Sequence, residues 1–181
     1  NVERGKNMYS GKVSVKENIC NISKKLGYLG VSYSQVQGYD INSSNGKHFF
    51  VNIANEEHAM LSKYDASTKE LVHTGDIKNV IMHGNDCAYY KGDYYIVCGS
   101  NSKKIKCYDS TFNYKKTYTF VPKSTYLHGN DISQISCIAH YKDSKFILGY
   151  GSDLAICNLE EDRFSEIYRI ELNENQVIGI K

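Results

Sequence analysis

A chain of 181 residues with 41% hydrophobic side chains has enough apolar mass for a sizeable buried core. Its net charge of +2, with both signs interspersed, gives no electrostatic basis for binding nucleic acid or an anionic membrane. No apolar run approaches the length of a transmembrane span and no secretory leader opens the chain, so membrane insertion is not expected. The aromatic content is 16 Tyr and 6 Phe with no Trp, a balance that suits half-buried strands and wet binding surfaces alike.

Residues 1–34 differ from the rest of the chain. Lys12-Val13-Ser14-Val15 has the pattern of a strand, and Glu17 to Leu26 fits either a short helix or an irregular turn. Gly27 to Tyr33 then leads into a repeat, so this region is expected to be a connector or the end of a preceding blade. From Gln35 the chain is one unit copied with drift. Asn85 to Val97 reads as strand, tight turn and strand, and Ser136 to Leu148 repeats it. Gly38-Tyr39-Asp40-Ile41, the Asn45-Gly46 turn and Phe49-Phe50-Val51 form a looser copy. Each is followed by a strand with a similar close: Lys63-Tyr64-Asp65, Cys107-Tyr108-Asp109 and Ile156-Cys157-Asn158. Starts at Gln35, His83, Gln134 and Gln176 give a period of roughly 40–50 residues, the size of a β-propeller blade.

The expected fold is therefore all-β, a β-propeller of four-stranded antiparallel blades. Three units at about 35–82, 83–133 and 134–175, and the opening of another at 176, make an arc of a larger ring. Further sequence, the N-terminal segment, or another subunit, a second copy included, would complete it. In the middle unit Tyr94 to Cys98 is apolar on both sides, as a sheet sandwiched between two others requires. Lys104 to Tyr108 alternates and should lie nearer the rim, with Thr117 to Phe120 outermost. Six cysteines, Cys20, Cys87, Cys98, Cys107, Cys137 and Cys157, sit mostly in strands without metal-ligand spacing. They read as small core hydrophobes of a protein folded in a reducing cytoplasm, even one later delivered outside the cell. A Cys98–Cys107 bridge across one hairpin is the alternative, which spacing alone does not decide.

His83-Gly84-Asn85-Asp86 and His128-Gly129-Asn130-Asp131 are identical tetrapeptides. The first opens the inner strand of its blade and the second lies in the loop before Gln134. Two readings stand. Imidazoles, amides and carboxylates from several blades converge at the central channel, making His83, Asn85, Asp86, His128, Asn130, Asp131, Gln35 and Gln134 the candidate ligand-binding residues. Alternatively Asp86 accepts backbone amide hydrogen bonds at the blade entrance and Gly84 permits a positive φ. Asn85, Asp86, Asn130 and Asp131 have the donor chemistry for a calcium ion, although no specific calcium motif matches and no other cofactor is indicated. No nucleophile, metalloprotease or phosphate-loop motif stands out, and Glu160-Glu161-Asp162 reads as a polar turn. Tyr89, Tyr90, Tyr94, Tyr95, Tyr141 and Tyr150 fit either a carbohydrate platform or strand packing.

The run His83 to Asp86, a short apolar strand, the Lys91-Gly92-Asp93 turn and Tyr94-Tyr95-Ile96-Val97 resembles a known repeat. It is similar to the His-x-Asn-Asp propeller repeats of phage tail and receptor-binding proteins, and of helveticin-like bacteriocins, from Gram-positive hosts. Gln35-Val36-Gln37-Gly38 with Leu61 to Asp65 is similar to a second signature of those repeats. The likeness runs from Gln35 to Ile180, and the third copy departs from it with Gln134-Ile135-Ser136-Cys137 where a glycine is expected. It implies a non-catalytic binding propeller of a virion or extracellular protein, directed at cell-wall glycan or teichoic acid or at other protein subunits. The rival expectations are a hydrolase of esters or lactones with a metal at the channel, using His83, Asp86, His128 and Asp131, and a structural platform for protein interaction.

Overall fold

A computed structural model describes residues 24–26, 31–33, 35–42, 45–53, 59–65, 67–68, 70–73, 84–99, 102–124 and 134–172. These hold fourteen strands, and no helix among them is long and apolar enough to cross a membrane. β1 (Lys24–Leu26) and β2 (Val31–Tyr33) pair as a small antiparallel ladder, so the end of the Glu17–Leu26 stretch is strand and not helix. Three four-stranded antiparallel blades come next. Blade 1 is β3 (Gln35–Asn42), β4 (Lys47–Ile53), β5 (Ala59–Asp65) and β6 (Glu70–His73). Blade 2 is β7 (Asp86–Tyr90), β8 (Asp93–Val97), β9 (Lys104–Tyr108) and β10 (Tyr114–Val121). Blade 3 is β11 (Ile135–Lys142), β12 (Lys145–Tyr150), β13 (Asp153–Leu159) and β14 (Arg163–Glu171).

The first strands lie side by side, β3 beside β7 and β7 beside β11, as inner strands around one axis. The end of the ring where they begin is its lower face, and the end where they stop its upper face. The inner hairpins turn tightly on the upper face. Lys91 (φ 49°) and Gly92 (φ 90°) both take the left-handed conformation that a two-residue hairpin with the sheet's own twist demands.

Blade 2 is buried on both sides, and Tyr94 to Cys98 are buried one after another. One side of it, with Cys87, Tyr94, Ile96, Cys98 and Tyr108, packs on Ala59 and Leu61 of blade 1. The other side, with Ala88, Tyr95, Val97, Ile105, Cys107, Tyr118 and Phe120, packs on blade 3. At the centre of that second interface Phe146 meets four rings, with centroids 5.5 Å from Tyr90, 5.3 Å from Tyr95, 5.3 Å from His140 and 5.1 Å from Phe164. Most of these contacts are edge-to-face, the arrangement that ring quadrupoles favour.

The outer edges hold a feature that the repeat pattern does not announce. β10 and β14 pair in parallel, with Thr119, Phe120 and Val121 opposite Arg163, Phe164 and Ser165. Blades 2 and 3 thus become one continuous eight-stranded sheet folded on itself. The ammonium of Lys116 reaches the Glu161 carbonyl across the same seam. Five cysteines, Cys87, Cys98, Cys107, Cys137 and Cys157, are buried free thiols, so Cys98 and Cys107 are not bridged. Burial pushes the Cys98 thiol up to about 11 and Cys107 to about 12, leaving both protonated at neutral pH.

The turns between third and fourth strands explain the recurring Tyr-Asp signature. Asp65 Oδ1 accepts from the Ser67 amide (2.9 Å), the Ser67 hydroxyl (2.6 Å) and the Thr68 amide (3.3 Å). Asp109 Oδ1 accepts from the Thr111 hydroxyl (2.7 Å), the Thr111 amide (2.8 Å) and the Asn113 amide (2.9 Å). These are Asx turns, in which the carboxylate substitutes for a backbone carbonyl. Blade 3 has Asn158 at the corresponding place and closes its turn through Glu160 N–H to the Arg163 carbonyl instead.

Phe146→Ala should lower unfolding free energy by about 3–5 kcal/mol in chemical denaturation, because it leaves a cavity bordered by four rings. The Asx hydrogen bonds hold Asp65 and Asp109 down to about 2, below their ordinary value of 3.8. A depressed carboxylate contributes stability that is fully present above the unfolded value and disappears as pH falls through the folded one. Carboxyl chemical shifts of both residues should therefore stay those of the ionised form at pH 3, with stability declining between about 4 and 2.

Candidate functional site

At the lower end of β7, Gly84 adopts φ 56° and the Asn85 amide donates to the Val97 carbonyl at 3.0 Å, closing the hairpin. The next residue, Asp86, is 5% exposed, and its Oδ2 accepts the Ile138 amide of blade 3 at 3.0 Å. The carboxylate is thus a strut between inner strands, the arrangement that the structural reading of His-Gly-Asn-Asp describes. Blade 1 repeats the device with Asp40. Its Oδ2 accepts the Tyr89 amide of blade 2 at 2.7 Å while Oδ1 accepts the Ile41 amide at 2.8 Å. Beside it the backbones nearly touch, since a Cβ on Gly38 would sit 2.7 Å from Asp86 Cα. Sequence reasoning passed over Asp40; its signal was that it stands as far before the Asn45-Gly46 turn as Asp86 does before Lys91-Gly92.

The remaining sequence candidates are dispersed or lie elsewhere. Gln134 precedes β11, and its carbonyl accepts the Gly151 amide at 3.4 Å, while Gln35 opens β3. His83, His128, Asn130 and Asp131 lie outside the described residues, as does the opening of a further unit at Gln176. Among the described residues no group of three or more His, Cys, Asp or Glu converges as metal ligands would.

The tyrosines divide by strand face. Tyr94, Tyr95 and Tyr150 are buried and belong to the core, so they line no carbohydrate platform. On the upper face Tyr90 stacks on His140, with centroids 4.5 Å apart and planes inclined by 24°, and the Lys91 ammonium lies 5.2 Å over the Tyr90 ring. His140 Nε2 is 2.9 Å from the Asp143 carbonyl, which fixes the imidazole against the turn. Tyr141 is 52% exposed with the Lys142 ammonium 5.5 Å above its ring. Rings and cations from the inner-strand ends of two blades thus stand together at the solvent boundary.

The lower face carries a buried ionic group that the sequence did not signal. Arg169 forks onto Glu166, Nε to Oε1 at 2.9 Å and Nη2 to Oε2 at 2.6 Å, and Glu166 Oε2 also accepts the Lys123 amide at 2.9 Å. Arg169 Nη1 is 3.9 Å from Asp153, whose buried carboxylate oxygens have no hydrogen-bond partner. Tyr150 lies within reach of two cations, the Arg169 guanidinium at 5.2 Å and the Lys103 ammonium at 5.4 Å. Lys103 and Lys123 belong to blade 2 and the others to blade 3, so the group ties the two together.

No protein-family model matches the chain, and no curated protein is significantly similar to it in sequence. Solved structures are similar in fold. A luciferin-regenerating enzyme superposes with a TM-score of 0.58 at 10% identity, over 80% of this chain and 48% of that one. A chain in the mitotic checkpoint complex gives 0.56 at 14% identity, over 81% and 43%. The WD40 repeats of RRP9 give 0.53 at 12% identity, over 80% and 41%. At such identities the likeness establishes the fold alone. The chain is an all-β propeller arc of WD40-like architecture, and it spans less than half the length of each of these structures. The matches do not extend to the narrower resemblance to phage-tail and helveticin-like repeats.

Asp86→Ala should leave the Ile138 amide buried without an acceptor and lower the unfolding free energy by about 1–3 kcal/mol. Asp86→Asn, which keeps an acceptor oxygen, should recover part of that loss in the same urea titration.

Proposed function

We propose that this chain is a non-catalytic binding propeller whose ligand docks on the upper face, at the inner-strand ends of blades 2 and 3. The observation that carries the reading is the division of side chains along the inner strands. Asp40 and Asp86 accept inter-blade amides, whereas His140, Tyr141, Lys91 and Lys142 are exposed, with half-buried Tyr90 stacked beneath His140. Carboxylates engaged in struts are poor general bases, which weighs against a hydrolase built on Asp86. Exposed rings beside ammonium groups suit a ligand with flat apolar faces and negative charge.

An anionic cell-surface carbohydrate of the teichoic-acid type has that chemistry, in keeping with the resemblance to receptor-binding repeats. A protein partner is the second reading. It is favoured by fold neighbours that include WD40 repeats and a chain within a multi-protein complex. The test is retention of the protein on purified Gram-positive cell walls with and without their teichoic acid. The glycan reading expects retention by intact walls only, lost in a Tyr141→Ala/Lys142→Ala variant that unfolds like the parent. Equal retention by both walls, or by neither, refutes that ligand. Upper-face binding is overturned if the double variant is retained as well as the parent.

A further inference from the structure

The ring of His140 is held on three sides by residues of blades 2 and 3. Alternation along β11 turns it, like Ile138, toward blade 2, while Ala139 faces the other way. Tyr90 of blade 2 stacks on it at 4.5 Å, and Phe146, its partner across the β11–β12 ladder, meets it edge-on at 5.3 Å. The third constraint is the Asp143 carbonyl, 2.9 Å from Nε2, at a tight turn where Asp143 takes φ 51°. A carbonyl only accepts, so Nε2 carries the proton and the neutral ring is the Nε2–H tautomer. Nδ1 is then the bare nitrogen. It has no hydrogen-bond partner among the described residues, and His140 is exposed.

Resting on the upper-face reading, we infer that His140 is the ionisable contact of that site: its Nδ1, once protonated, donates to an anionic group of the ligand, and binding takes up a proton. Protonation at Nδ1 leaves the bond from Nε2 to the Asp143 carbonyl in place, so the ring gains a donor without turning. The imidazolium then lies nearly flat on Tyr90, whose ring face attracts a cation. The charged groups around the ring lie on two turns, Lys91 and Asp93 at the end of β7 and start of β8, and Lys142, Asp143 and Lys145 between β11 and β12. Asp93 is already engaged by the Lys115 ammonium at 2.6 Å. That leaves Lys91, Lys142 and Lys145 against the Asp143 carboxylate. An excess of ammonium groups opposes one more positive charge, and a bound anion offsets that excess, which couples the proton to the ligand. A phosphodiester suits the site. It stays a monoanion over the whole range in which histidine changes charge, so the pH dependence comes from the protein alone.

The experiment is titration of the 181-residue chain with glycerophosphoglycerol, a small phosphodiester, at pH 6 and pH 8, followed by the ring nitrogen NMR shifts of His140. Without the probe, the chain at pH 8 should show a protonated Nε2 and a bare Nδ1. The phosphodiester should bind roughly tenfold more tightly at pH 6 than at pH 8, and should move the Nδ1 resonance to its protonated position. His140→Phe keeps a ring on Tyr90 and should bind weakly and equally at both pH values. An Nδ1–H tautomer in the free chain overturns the inference. So do equal affinities of the parent at the two pH values, no binding at either, and a pH dependence that survives in His140→Phe. Failure of the upper-face reading shows elsewhere, as cell-wall retention that the Tyr141→Ala/Lys142→Ala variant does not reduce.

Discussion

Sheets that radiate from a common axis are close together at the centre and apart at the rim, and the sequence has to fill that wedge. At the axis the demand is for absence: Gly38 lies so close to the Asp86 backbone that even a methyl group does not fit. On the neighbouring inner strand, small Ala88 and Cys87 sit between blades. Further out the gap takes full rings, with Tyr95 and Phe146 in the middle and Tyr118, Phe120 and Phe164 at the outer strands. The rings of the second and fourth strands fill most of the space between blades 2 and 3.

The same taper decides which polar groups can live near the axis. Backbones that approach this closely leave amides facing the neighbouring blade and not water. Asp40 and Asp86 supply acceptors for two of them, Tyr89 and Ile138. A side chain committed to that duty is a stabilising element whose repetition from blade to blade reflects repeated geometry. The upper face, beyond the last inner-strand pairs, is free of that constraint, and there His140, Tyr90 and their lysines gather.

Much of the architecture was legible in the sequence because its causes are local. Asn45-Gly46 and Lys91-Gly92 announce tight hairpins, Tyr94 to Cys98 announces a strand buried on both sides, and the recurring Tyr-Asp marks where the third strand ends. What stayed hidden depends on distant partners or on breaks of alternation. The β10–β14 seam joins residues more than forty positions apart, and nothing in Thr119-Phe120-Val121 names its counterpart. In β14 a register shift opposite Ile156 and Cys157 turns Glu166 and Arg169 toward the same interface, although strict period-two reading separates them. Tyr150 and Tyr141 looked interchangeable in composition, yet one is core and the other surface because their strands meet the blade differently. The two His-Gly-Asn-Asp tetrapeptides were legible as a repeat without a settled role; only Gly84 to Asp86 of the first falls among the described residues, and there Asp86 accepts the Ile138 amide of the next blade.

The seam between β10 and β14 divides the arc dynamically. Blades 2 and 3 touch at the axis, across their faces and again through backbone hydrogen bonds at the rim, so splaying them requires breaking a ladder as well as a core. Blade 1 meets blade 2 through side-chain packing, the Asp40 strut and the Lys63 ammonium on the Ser110 carbonyl, with no such ladder among the described residues. Breathing of the arc therefore concentrates at the junction of blades 1 and 2. The paired blades move as one stiff plate, and the upper-face cluster shared by Tyr90 and His140 rides on it without being pulled apart.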